Sequence, residues 1–182
     1  MFLGAKRLAF LSLLLACTIL LVIFSGILET NSLFLLAGAS FGVGIAIRES
    51  GLRFGSGFLI AAVLLSFLLA PNKLYCLTFA FMGLYLAIAE FAWDKLALAK
   101  TGGNRNVILW VIKYAVFNAI YVPVILFFPK LVYQGELSPV FLAAILLAGQ
   151  AALFVYDMAY GYFQKSIWGK IRVHIKHYWM KE

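Results

Sequence analysis

From Leu8 to Ile27 the chain carries no charged residue, and Lys6 and Arg7 stand directly before the run. A helix crossing a bilayer needs roughly 20 apolar residues, because each adds about 1.5 Å to a path of about 30 Å. Further apolar runs follow, and the pattern predicts spans over 8–27, 33–47, 55–70, 74–93, 107–128 and 138–163. Polar punctuation separates them at Glu29-Thr30-Asn31-Ser32, Arg48-Glu49-Ser50-Gly51, Pro71-Asn72-Lys73, Thr101-Gly102-Gly103-Asn104 and from Tyr133 to Pro139. The runs are continuous rather than alternating, which excludes a membrane β-barrel. The expected fold is an all-α integral membrane bundle of six helices, one domain over 1–164, with a basic tail over 165–182. The second and third spans are short, so they tilt little or stop short of one surface.

Composition agrees. The chain is 65% hydrophobic and 12% charged, with a mean hydropathy of +1.01. A soluble domain is nearer half apolar and a quarter charged. The opening run resembles a secretory signal in its basic start, but it is long and hydrophobic segments continue to the end, so it is expected to be retained. Cys17 and Cys76 lie inside apolar runs, where free cysteine behaves as a small hydrophobe, and neither a disulfide framework nor a metal site is indicated.

Cations set the orientation. With the N-terminus inside, Lys6, Arg7, Arg48, Arg53, Lys95, Lys100, Arg105 and the cations of the tail all fall on the cytoplasmic side. Lys73 and Lys130 fall outside, and Lys113 lies within a span. That asymmetry puts both termini in the cytoplasm. The net charge of +8 is then a topology signal matched to anionic lipid, not a nucleic-acid footprint. In the tail, Trp168, Ile171, Ile175, Tyr178 and Trp179 recur near helical spacing with Lys165, Lys170, Arg172 and Lys176 between them. This suits an amphipathic helix on the inner leaflet, although Ile171, Val173 and Ile175 also alternate as a strand would. His174 and His177 read as solvated rather than metal-ligating.

Charged groups inside a membrane each need an explanation. Glu90, Lys113 and Asp157 fall at a similar depth in the fourth, fifth and sixth spans, so one cluster is expected, with Lys113 compensating an acid. Such a cluster locks helices together, relays a proton or ion, or contacts a ligand. Asn118, Tyr121, Gln150 and Tyr85 are uncharged polar groups of the same three spans. They fit either a small-molecule pocket, which is mostly apolar with a few placed polar groups, or interhelical hydrogen bonds. Pro123 frees a backbone carbonyl beside them. In the first span Ala5, Ala9, Ser12 and Ala16 recur at helical steps and form a smooth stripe where another helix can approach closely. The stripe serves either packing within the bundle or docking of a separate membrane partner.

Enzyme signatures are missing. Phe54-Gly55-Ser56-Gly57 lacks the first glycine of the Gly-x-Ser-Gly of rhomboid proteases, and no span holds a histidine to partner a serine. Tyr156-Asp157-Met158 is not the Gly-x-Gly-Asp of intramembrane aspartyl proteases, and no phosphate-cradling loop occurs. The reading is a non-enzyme without a cofactor.

Short spans, both ends inside, and Lys6-Arg7-Leu8-Ala9 running into the stripe to Ala16 resemble the S components of energy-coupling factor (ECF) transporters. That bacterial family captures vitamins and related micronutrients at the cytoplasmic membrane. The resemblance implies that Ala5, Ala9, Ser12 and Ala16 dock on a coupling transmembrane subunit driven by two ATPase subunits, with Ser12 departing from the family's alanine. It also implies an outward-facing pocket lined by Asn118, Tyr121, Gln150 and Tyr85, with Glu29, Asn31, Asn72 and Tyr75 at its mouth. The alternative is a six-span scaffold of the cell-shape type, resembling MreD, which organises protein partners without a small-molecule ligand.

Overall fold

A computed structural model describes residues 4–98, 104–127 and 139–173. Among the described residues there are six helices long and apolar enough to cross a membrane, and no strand. They are α1 (Ala5–Ile27), α2 (Ser32–Ser50), α3 (Leu52–Leu69), α4 (Lys73–Leu98), α5 (Arg105–Phe127) and α6 (Pro139–Tyr162). Phe34 is 78% exposed and Leu68 79%, which suits lipid as the surrounding solvent and not water. The chain is a multi-pass membrane protein.

Helices α1 to α5 are longer than the apolar runs, because charged residues are drawn into their end turns. α2 contains Arg48 and Glu49, and α3 begins with Leu52-Arg53. The shortest, α3, has 18 residues and therefore extends about 27 Å, close to the hydrocarbon thickness. Gly51 ends α2 at φ 84°, a left-handed conformation that a side chain disfavours. Four residues on, Gly55 lies so close to Ile47 that a β-carbon there would overlap it, which keeps the α2–α3 corner tight. Between α3 and α4, Pro71 is followed by Asn72, whose side-chain oxygen accepts from the Leu74 N–H at 3.0 Å and caps α4. Lys73 donates to the carbonyls of Phe67 and Ala70, satisfying the end of α3.

α2 is the centre of the bundle, buried from Gly42 through Ile47 and packed between α1, α3 and α4. Its small residues allow this. Gly42 meets Thr18 of α1 on one side, and Gly44 meets the Tyr160 ring of α6 on another. Two buried hydroxyls of α1 bond their own helix: Thr18 to the Leu14 carbonyl at 2.9 Å and Ser25 to that of Val22 at 2.7 Å. No polar hydrogen of theirs is left facing hydrocarbon.

α1 buries Leu11, Thr18, Ile19, Val22 and Ser25 against this centre. Ala5, Ala9, Ser12 and Ala16 lie on the other side and are all exposed, so the small-residue stripe faces away from the protein's own bundle. Its one polar group, the Ser12 hydroxyl, bonds the Leu8 carbonyl at 3.0 Å.

At its far end α6 widens into a π-helical stretch, Phe163–Trp168, and then continues to Val173, across the boundary expected at 164/165. The sequence pattern put Trp168 and Ile171 on one membrane-facing side, but the structure separates them. Trp168 is buried, packed at a tilt against Phe10 with ring centroids 5.7 Å apart, and donates to Glu49 Oε1 at 3.1 Å. Arg172 reaches the same carboxylate at 2.8 Å, while Ile171 is exposed. Extra residues per π turn rotate the following face, and helical spacing alone does not foresee that. The rest of the predicted tail helix, with His174, His177, Tyr178 and Trp179, lies outside the described residues.

Candidate functional site

The intramembrane charges form two ion pairs, not one cluster. Lys113 on α5 lies 2.7 Å from Asp157 Oδ1 on α6 and donates to Oδ2 at 2.8 Å. Tyr85 of α4 donates to the same carboxylate at 3.0 Å, and the Lys113 ammonium sits over the Trp110 ring at 5.2 Å. Glu90 belongs to a separate pair. Arg48 of α2 grips it with Nε at 2.8 Å and a second guanidinium nitrogen at 2.6 Å, the forked geometry that favours arginine. Tyr160 of α6 adds a third donor at 2.6 Å and receives one from Gln164 at 2.9 Å. The expected membership of Glu90 in a group with Lys113 is therefore corrected. Its partner is the last-turn arginine of α2, which had been assigned to a loop.

The two pairs share a plan. Tyr85 on α4 donates to an acid on α6, and Tyr160 on α6 donates to an acid on α4. Each acid is neutralised by a cation from a third helix, Lys113 from α5 or Arg48 from α2. Four helices are thus tied by charge-assisted bonds whose partners are mostly out of water. Gly44 is part of the arrangement, because a β-carbon there would strike the Tyr160 hydroxyl that reaches Glu90.

Beside the Lys113–Asp157 pair α4, α5 and α6 part, leaving a cavity of about 320 Å³. Tyr85 and Tyr156 bound it next to the pair, and Thr78 and Val124 bound it about two helical turns further along. Phe81, Met82, Phe117, Ile120, Tyr121, Ala152 and Leu153 complete the wall. The Phe117 and Tyr121 rings stack at 4.8 Å. Tyr121 can occupy its place because Gly149 opposite has no side chain, and its hydroxyl donates across to the Ile145 carbonyl at 2.8 Å.

Of the residues expected to hold a ligand, Tyr85 and Tyr121 line this cavity. Asn118 and Gln150 do not. Their side-chain amides pair reciprocally at 3.1 and 2.8 Å, and Asn118 also bonds the Tyr114 carbonyl, so they join α5 to α6. Asn72 caps a helix, Tyr75 packs against the core of α1 to α4, and Asn31, itself exposed, ends the single turn Glu29–Asn31. None of these three lines the cavity, and the Glu29 side chain lies outside the described set. Sequence reading missed Arg48, Tyr156, Tyr160 and Gln164. Tyr156 and Tyr160 recur at a helical step with Asp157 between them, which was the available signal. Among the described residues no three His, Cys, Asp or Glu side chains come together as metal ligands do. Comparison with protein-family models, curated proteins and solved structures finds no match to this chain.

Proposed function

We propose that the chain is a substrate-capturing subunit of an ECF-type importer, holding a small molecule between α4, α5 and α6 and docking through α1 on a coupling subunit driven by ATPases. The observation that carries this reading is the cavity. It lies among the last three helices, on the side of the ion pairs away from the basic ends of the bundle. Lys6, Arg7, Arg53, Lys95 and Arg105 lie at those basic ends; on this reading the positive-inside bias puts those ends in the cytoplasm and the cavity in the outer half of the membrane. The stripe on α1 supports a partner in the membrane, since it offers close approach and is exposed among the described residues. A scaffold would use the stripe but gives the cavity no role.

Native mass spectrometry of the protein released from its own membranes tests this reading. The wild type is expected to retain a small molecule. Ala152→Phe, which puts a ring into the cavity from an exposed wall position, is expected to be bare. A wild type carrying nothing but phospholipid, in the same amount as the variant, would overturn the reading.

A further inference from the structure

The hydroxyl groups of the cavity decide what it can bind. Each hydroxyl has one hydrogen to give and lone pairs to receive. Tyr85 gives its hydrogen to Asp157, Tyr121 to the Ile145 carbonyl, and Thr78 to the Leu74 carbonyl at 3.1 Å. Tyr156 lies 2.6 Å from Ser40 Oγ, and Ser40 spends its own hydrogen on the Ala37 carbonyl at 2.7 Å. Tyr156 must therefore be the donor to Ser40. Every hydroxyl in the wall has its hydrogen committed, and only lone pairs remain.

The other wall side chains are hydrocarbon, aromatic or thioether, and helical backbone N–H groups are taken by their own helices. Lys113, beside the cavity, is not part of its wall, and its ammonium is held by both oxygens of Asp157 and lies over the Trp110 ring. An anion entering the cavity would find no donor and would lose its hydration without return. A cation would find no free counter-charge, because Asp157 is neutralised. An uncharged aromatic molecule loses little water, stacks on Phe117 and Tyr121, and can give its own N–H or O–H to the waiting lone pairs.

We propose that the cavity takes an uncharged, largely aromatic molecule that presents hydrogen-bond donors, and that it discriminates against anions. This ligand class rests on the capture reading above.

Calorimetric titration of the protein in lipid nanodiscs with three probes tests it, with Ala152→Phe nanodiscs subtracted to remove partition into lipid. Indole supplies a flat ring and one N–H donor, 1-methylindole removes the donor, and indole-3-acetate adds a negative charge. Indole is expected to bind about threefold or more tighter than 1-methylindole, the effect of one hydrogen bond. It is expected to bind more than tenfold tighter than indole-3-acetate. Equal or tighter binding of the acetate, or no binding of indole above the Ala152→Phe reference, would overturn the proposal. So would a photoactivatable phospholipid that labels the Phe117 to Val124 segment and is not displaced by indole, since that identifies a lipid site. A tight anion removes the ligand class but leaves the transport reading standing. Absence of ATPase subunits from the purified complex removes transport but leaves these affinities intact.

Discussion

Replacing Lys113 by Met is expected to destabilise the protein by about 3–5 kcal/mol, because the Asp157 carboxylate is left buried with only the Tyr85 hydroxyl to receive it. Lys113 and Asp157 are 13% and 10% exposed, so water does little to replace the lost ammonium. The Met side chain keeps a similar length but loses the cation over the Trp110 ring together with the ion pair. Adding Asp157→Asn should recover most of the loss, since a neutral amide still accepts from Tyr85. Adding Glu90→Gln to Lys113→Met should recover nothing, because Glu90 bonds Arg48 and Tyr160 instead. Unfolding in a denaturing detergent titration compares these three variants with the wild type. Recovery through Glu90 but not Asp157 would contradict the pairing.

The second large effect is at Arg48. Its side chain is 38% exposed while that of Glu90 is 5%, so the two ends of this pair are not equivalent. Arg48→Met strands a buried carboxylate and should cost about 3 kcal/mol. Glu90→Gln leaves a guanidinium that reaches the polar edge of the bundle, and should cost nearer 1 kcal/mol. The double variant should approach the milder single. The same unfolding titration reads this asymmetry, and equal costs for the two single changes would contradict the burial on which it rests.

The spans were legible because lipid imposes one rule: every backbone group must be satisfied within its own segment, and a long apolar run can then only be a helix. Gly51, Pro71 and Asn72 marked corners for local reasons that a sequence displays. Partner choice was not legible. Depth along a helix can be counted in residues, and that count suggests one group of Glu90, Lys113 and Asp157, whereas the bonds divide them between two pairs. Which helices stand beside each other does not follow from counting, so Arg48, apparently a loop residue, went unnoticed as the grip on Glu90. Asn118 and Gln150 show the same limit. Their polarity announced a role, but only the facing of α5 and α6 decides that the two amides satisfy each other. The cavity depends on where α4, α5 and α6 part, a tertiary property set by Gly149, Tyr121 and the ion pairs together.

The direction of the stripe on α1 was also a tertiary matter, and it bears on the claim that this chain works as one subunit of a larger importer. Ala9 is exposed, so a larger side chain there meets nothing of the protein's own core. Against a closely packed partner helix the same bulk costs roughly 1–3 kcal/mol, enough to weaken association about tenfold. The deciding measurement is affinity purification of tagged wild type and Ala9→Trp from native membranes in mild detergent. The account predicts that both are monodisperse and hold the same small molecule, but that only the wild type brings a coupling membrane subunit and two ATPases with it. A wild type that brings no ATPase, or an Ala9→Trp protein that unfolds before losing a partner, would contradict it.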